Sequence, residues 1–368
     1  MALRWPRALR RLRSPRPLRS HATRLRRALH HALQGHLGEA EDELAGALQE
    51  DSSSHDVSLA LATLYRARGE VGRAIQIHQT LLLRPGLEPA LRRECLLGLA
   101  LDFRSGGFVE RAKAAFEGLI AEDPGHQEAL VALEHLYVDA GEWEEALRIR
   151  RRIGRSDPRT PRILAHLWSG LGRAHAASGR KAEARRAFRK ALTRDPTSAA
   201  ALVGLGDLRH AEGQLRKAIG LWLRALPLHP AAGGLLYPRL WEAHVALGDL
   251  ASFEARVAGF ESSDVDPEIL ARAAIWRARA RVRLGRVYDA IEGLRQRLDL
   301  DPERFELRAE IGRILLDDHR DLEARKAFEE LLAHAPRERP ALVCRACGAR
   351  DAVLHWRCPQ CGEWDSVS

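Results

Sequence analysis

The sequence predicts an all-α protein, in which a superhelix of about nine helix pairs is followed by a small C-terminal metal ribbon. Two observations lead to this prediction: a Gly-to-Ala phrase recurs every 34–38 residues, and four of the five cysteines lie between residues 343 and 364. We predict three parts, namely a disordered basic tail (residues 1–20), a helical solenoid (21–336) and a four-cysteine ribbon (341–368).

The N-terminal segment concentrates positive charge. Residues 1–34 contain ten arginines and no acidic residue, and the other 334 positions hold 49 basic and 50 acidic residues. The segment has no apolar stretch of the length that a secretory signal or a membrane span needs. Three interpretations stay open for it: a disordered tail or imperfectly placed start, a peripheral contact with anionic lipid, and a mitochondrial-type transit peptide.

The repeated phrase consists of a glycine followed five residues later by an alanine. It begins at Gly35, Gly69, Gly107, Gly141, Gly179, Gly213 and Gly285, with degenerate copies at Gly248 and His319. The glycine predicts the left-handed end of a first helix, and the alanine lets a second helix approach closely. A large apolar residue four positions later fills the space between them, as at Phe116, Phe188, Trp222, Leu294 and Phe328. Proline, usually after aspartate, then ends the second helix.

This pattern resembles the tetratricopeptide repeat, a helix–turn–helix unit of 34 residues. Each pair leaves an apolar face that a neighbour must cover, so the units are expected to stack into a superhelix with a concave groove. Such a groove is primarily an interaction surface. The sequence has no phosphate-binding loop, HExxH or nucleophile-elbow pattern, and we predict that the protein is not an enzyme.

The cysteine ribbon contains two C-x-x-C pairs, each followed by glycine. Cys344 and Cys347 form one pair, and Cys358 and Cys361 the other. Two such knuckles supply four ligands for one structural zinc ion, with no position left for a catalytic water. A piece of this size is too small to build a sufficient core, so the metal is expected to supply most of its folding free energy. Iron is an alternative ion, and two disulfides are a further alternative that a reducing compartment disfavours.

The remaining features of the ribbon concern its surroundings. Trp356 and Trp364 are expected to cover the metal knuckles or to dock the ribbon onto the repeats. We do not expect nucleic acid as a partner, because phosphate binding relies on uncompensated cations. The ribbon balances its positive charges with an equal number of negative ones: Arg345, Arg350 and Arg357 against Asp351, Glu363 and Asp365.

Two stretches resemble the lipopolysaccharide assembly protein B family, namely "RARGEVGRAIQIHQTLL" (residues 66–82) and "LHWRCPQCGEW" (354–364). The resemblance implies a non-enzymatic adaptor at the cytoplasmic face of the inner membrane. Such an adaptor connects the deacetylase that commits precursors to lipid A with a membrane-anchored ATP-dependent protease, and so regulates lipopolysaccharide synthesis. It also implies that the four cysteines bind the metal and that the ribbon packs against the repeats.

The sequence departs from this family at its start, where family members usually have a membrane-spanning helix and this chain has the Arg-rich segment. We therefore expect a cytoplasmic protein, with peripheral attachment through the basic segment as one alternative. The second alternative is that the protein is a soluble cytosolic scaffold for an unrelated protein complex. Candidates for partner binding are Arg66, His78 and Gln79 of the second repeat, with Trp356 and Trp364. Ordinary packing is the alternative for the second-repeat residues.

Overall fold

The computed structural model describes residues 16–154, 157–259, 267–334, 342–351 and 353–367. It confirms the all-α prediction, since these residues form eighteen α-helices, a short 3-10 helix at Pro230–Ala232 and two short strands. In chain order the helices are α1 (Arg16–Leu33), α2 (Leu37–Glu50), α3 (His55–Ala67), α4 (Val71–Leu82), α5 (Pro89–Ser105), α6 (Val109–Glu122), α7 (Gln127–Asp139), α8 (Trp143–Ile153), α9 (Thr160–Ala177), α10 (Lys181–Arg194), α11 (Ala199–Ala211), α12 (Leu215–Ala225), α13 (Gly233–Ala246), α14 (Leu250–Ala258), α15 (Pro267–Arg283), α16 (Val287–Leu300), α17 (Phe305–Asp317) and α18 (Asp321–His334).

The helices pack as consecutive pairs within two compact units. The first unit, Met1–Ser156, contains α1–α8, and the second, Asp157–Ser368, contains α9–α18 and the ribbon. Within each unit, every odd-numbered helix packs against the next even-numbered one. Residues 1–15 of the predicted tail and the junction at 335–341 lie outside the described residues, and α1 begins at Arg16, so the domain boundaries stay predictions.

The turn inside each pair has the left-handed backbone that the repeated glycine predicts. All eight phrase glycines have φ between 68° and 80°. His319, which replaces glycine in the last copy, adopts φ 57° without being glycine. Because a side chain in this region costs free energy, the glycines explain why each first helix ends where it does.

The second helix of each pair packs closely on the first through the phrase alanine. This alanine is at most 1% exposed in all eight copies that have it, and Phe253 takes the position in the seventh copy. The large residue four positions later fills the gap beside small residues on the first helices. For example, a Cβ added to Gly172 would lie 2.7 Å from a carbon of the Phe188 ring, and a Cβ added to Gly204 would lie 2.3 Å from one. Aromatic residues and glycines are thus paired in the interior.

Two copies place a polar residue where the others have a large apolar one, a feature that the sequence analysis missed. His78 occupies this position in the second repeat and Arg150 in the fourth, and both are 2% exposed. Arg150 forms an ion pair with Glu134, which is itself 1% exposed. Glu134 lies seven residues before the phrase glycine, where seven of the other eight copies have alanine or glycine. A charged pair therefore replaces a small–large apolar pair in the fourth repeat.

The described residues contain no candidate membrane span. None of their helices combines the length and the apolar character that crossing a bilayer requires.

Candidate metal centre and its contact with the repeats

The four ribbon cysteines converge on one point. The Sγ atoms of Cys344 and Cys361 are 3.7 Å apart, as are those of Cys347 and Cys358, and all four sulfurs lie within 4.8 Å of one another. A tetrahedral ion with metal–sulfur bonds of about 2.3 Å requires sulfurs about 3.8 Å apart. The sulfurs are too far apart for disulfide bonds, which need about 2.0 Å. The donor set therefore fits one metal ion.

Two equivalent turns build this arrangement. In each knuckle the glycine after the second cysteine has a positive φ, 74° at Gly348 and 75° at Gly362. The amide of that glycine donates a hydrogen bond to the carbonyl of the first cysteine, at 2.8 Å in one knuckle and 2.9 Å in the other. Strands β1 (Leu342–Val343) and β2 (Arg350–Asp351) pair antiparallel across the first knuckle. Short-range backbone geometry thus aims both thiols of each knuckle inward.

The surroundings of the buried cysteines favour the thiolate, which is the form that binds metals. The contact with the Ser366 hydroxyl, 3.2 Å away, lowers the pKa of Cys344 to about 6. Hydrogen bonds from the backbone of Cys361 and Gln360 lower the pKa of Cys358. Burial and the neighbouring sulfurs raise the pKa of Cys347 and of Cys361, against backbone hydrogen bonds that lower it. The convergence of the four sulfurs shows the metal-binding site, which has the closed coordination of a structural site.

The ribbon contacts helix α9 through one tryptophan and one carboxylate. The Trp364 ring stacks on His166 with centroids 4.5 Å apart and 13° between the planes. The carboxylate of Asp365 accepts hydrogen bonds from Arg162 Nη2 and from His166 Nε2, each at 2.8 Å. Burial alone would raise the pKa of Asp365, but these hydrogen bonds outweigh it and lower the pKa. Asp365 is thus held as a charged group against the repeats.

A second contact involves the other tryptophan. The Trp356 ring lies 5.0 Å from the ring of His229, which follows α12. Burial lowers the pKa of His229 and so favours its neutral form. Leu354 and Trp356 also pack against the core that contains Trp222 and Tyr237. Both ribbon tryptophans therefore contact the repeats of the second unit, and whether they also bind a partner stays a prediction.

We expect substitution of Asp365 by asparagine to weaken this contact. Asparagine tolerates the positive φ of 50° at this position, so the change removes the charge while the backbone is retained. Losing one partner of a charged hydrogen bond costs about 1–3 kcal/mol. Hydrogen exchange should become faster in α9 and in the ribbon. The control is Asp351→Asn, whose carboxylate is paired with His355 and more exposed; equal effects of the two changes would contradict this role of Asp365.

The candidates for partner binding in the second repeat differ in their surroundings: Arg66 and His78 contact a buried carboxylate, and Gln79 faces solvent. Arg66 Nη1 donates to Asp102 Oδ1 at 2.8 Å, and His78 Nδ1 lies 2.6 Å from Asp102 Oδ2. Asp102 is fully buried, and the sequence analysis did not single it out. The absence of a side chain at Gly98 makes room for the His78 ring, since a Cβ there would lie 2.2 Å from Nε2. Gln79 is exposed, and the part of all three residues in partner binding stays a prediction.

Models of known protein families match both the helical repeats and the C-terminal ribbon. The model of the rubredoxin metal binding domain matches residues 343–368. Tetratricopeptide repeat models match residues 58–91, 109–167 and 169–233. The first match covers the four cysteines and Trp356, Trp364 and Asp365, and the others cover repeats of both units.

Curated relatives extend the similarity over most of the chain. Lipopolysaccharide assembly protein B of Escherichia coli K12 is 26% identical over 89% of this chain and 84% of its own length. The protein of the same name from Haemophilus influenzae is 25% identical over 86% of this chain and 80% of its own length. Human protein O-mannosyl-transferase TMTC1 is 25% identical, but the match covers 46% of this chain and 19% of that protein. The chain joins tetratricopeptide repeats to a rubredoxin-type ribbon, and its resemblance to the lipopolysaccharide assembly protein B family is confirmed.

Proposed function

We propose that this protein is a non-enzymatic adaptor that regulates lipopolysaccharide synthesis. In this proposal its repeats bind the deacetylase that commits precursors to lipid A and present it to a membrane-anchored ATP-dependent protease. The observation that supports the proposal most is the similarity to lipopolysaccharide assembly protein B, which extends over 89% of the chain. A stack of helix pairs also suits the task, because it offers an extended surface to a folded client.

We propose zinc as the ion of the ribbon, held by Cys344, Cys347, Cys358 and Cys361. Four thiolates at tetrahedral spacing suit zinc, and such closed sites contribute folding free energy. The role of the ion is then structural. It would hold the ribbon in the shape that places Trp356 and Trp364 on the repeats, and with them Asp365 on α9.

We place this function at the cytoplasmic face of the inner membrane, where the deacetylase and the protease would meet. The resemblance to the family supports this location. Residues 1–15 of the N-terminal segment lie outside the described residues.

Deletion of the gene in the native host tests the adaptor role. We expect the deacetylase protein to accumulate while its transcript stays constant, because the adaptor acts on degradation. Quantitative immunoblotting and transcript measurement in the same cultures give the two values. Re-expression of the wild-type chain should restore the low protein level, and a deacetylase level that does not respond to deletion would refute the proposal.

A further inference from the structure

The near-neutral charge of residues 35–368 hides a strongly basic region in the second unit. Residues 157–239 contain fifteen basic and five acidic residues, whereas residues 240–334 contain fifteen basic and twenty acidic ones. The excess is concentrated in two second helices of repeats. Helix α10 has six basic residues and one acidic residue, and α12 has three basic residues and no acidic one. The two later helices α16 and α18 each have more acidic than basic residues.

Four cations of α10 and α12 point away from the core. In α10 the buried residues are Ala184, Ala187, Phe188 and Ala191, and in α12 they are Ala218, Ile219, Trp222 and Ala225. Successive residues are 100° apart around a helix, so Arg186 and Arg189 lie opposite the buried stripe of α10. Arg216 and Arg224 lie opposite that of α12 by the same argument. All four arginines are exposed.

The two helices are neighbours that pack on the same intervening helix. Leu192 of α10 and Leu221 of α12 pack against one cluster, which includes Leu205 and Leu208 of α11. Arg185 of α10 forms an ion pair with Glu212 in the turn that leads into α12. We define the outer basic face as the exposed residues Arg186, Arg189, Arg194, Arg216, Lys217 and Arg224.

None of the six cations of the outer basic face has an acidic partner within 4 Å among the described residues. Other arginines of the second unit are paired, such as Arg239 with Asp207 and Arg279 with Glu310. Holding six uncompensated charges on one surface is unfavourable through self-repulsion unless an anionic partner offsets it. The face therefore has the electrostatics of a binding surface.

We infer that the outer basic face binds the anionic headgroups of a phospholipid bilayer. This inference rests on the proposed function, which places the protein at a membrane. Apart from Glu183, the exposed positions between the cations are small and uncharged, as at Ala182, Thr193 and Gly220. The described outward surfaces of α10 and α12 thus offer neither an apolar wedge to insert into lipid nor an aromatic platform for stacking bases. The expected attachment is electrostatic, reversible and sensitive to salt.

Vesicle sedimentation tests this inference with the purified full-length, zinc-loaded chain. The probes are vesicles of phosphatidylcholine alone and vesicles that also contain phosphatidylglycerol. We compare the wild-type chain with Arg186→Glu/Arg216→Glu, which reverses one charge on each helix. The matched control is Arg283→Glu/Lys326→Glu, which changes the net charge equally at exposed positions of the second unit outside the face. All three chains keep the same N-terminal arginines.

The wild-type chain should bind the vesicles with phosphatidylglycerol at about 0.1 M salt and not those of phosphatidylcholine alone. The face variant should lose at least about tenfold in partition coefficient, and the control variant much less. Equal losses in both variants, or no binding of the wild-type chain, would overturn the inference. If the face variant lost binding to duplex DNA in a parallel assay but kept its binding to vesicles, the face would be a nucleic-acid-binding surface instead, and the inference would be wrong. Matching thermal unfolding of the three chains establishes that they are folded. Because the assay contains neither deacetylase nor protease, its result is independent of the adaptor test in cells.

Discussion

Replacing Cys358 by serine is expected to remove the metal ion and unfold the ribbon. The described residues of the ribbon form two short strands and one small buried cluster of Cys344, Cys358 and Val367. A structural zinc ion contributes on the order of 10–16 kcal/mol to the folding of such peptides, so the ribbon cannot stay folded without it. The Trp364–His166 and Trp356–His229 contacts should be lost together. Metal analysis should fall from about one ion per chain to near zero, and α9 should exchange hydrogen faster.

Cys95 provides the matched control for this experiment. It is fully buried in α5 of the first unit, and burial raises the pKa of its thiol to about 11. Such a thiol is a poor metal ligand. Cys95→Ala should therefore retain the full metal content, with a small loss of stability from the missing sulfur. If the Cys358→Ser protein kept its metal and its hydrogen-exchange protection, the ion would not be what holds the ribbon.

Breaking the buried pair of Glu134 and Arg150 should have the second largest effect. Glu134→Ala would leave the Arg150 guanidinium buried opposite an alanine, and loss of one partner from a buried ion pair costs about 3–5 kcal/mol. The double variant Glu134→Ala/Arg150→Leu should recover most of this loss, because it restores the combination that Ala28 and Leu44 form in the first repeat. Denaturant unfolding of the two variants and the wild-type chain gives the free energies of unfolding.

An exposed ion pair of the same unit serves as the reference. Arg92 and Glu122 are paired with both side chains more than 40% exposed, and Glu122→Ala should cost less than about 1 kcal/mol. If the double variant were as unstable as Glu134→Ala, the two positions would not be equivalent to the small–large pairs of the other repeats.

Local features of the fold follow from the sequence because they depend on short spacings. The interval between Gly and Ala predicts both the left-handed turns and the buried alanines, and the two C-x-x-C pairs predict the converging thiols. His166 and Arg162 could not be identified in this way. They contact Asp365 across about 200 residues of sequence, and no local pattern in α9 marks them as the docking site.

The buried polar groups of the first unit were missed for a different reason. Asp102, Glu134 and Arg150 stand at positions that are small or apolar in most other copies, so they are evident only when the repeats are aligned position by position. The outer basic face is not evident from the net charge of residues 35–368, which is close to zero. The positive charges of α10 and α12 are cancelled in that sum by the negative charges of later helices such as α16 and α18, although the two groups lie on separate helices.

We propose that this chain promotes destruction of the lipid A-committing deacetylase. The most direct measurement is the degradation rate of purified deacetylase by the purified ATP-dependent protease in vesicles, with and without the zinc-loaded chain. We expect faster degradation when the chain is present, and the wild-type rate should be lost with Cys358→Ser and retained with Cys95→Ala. A rate that is the same with and without the wild-type chain would contradict the claim.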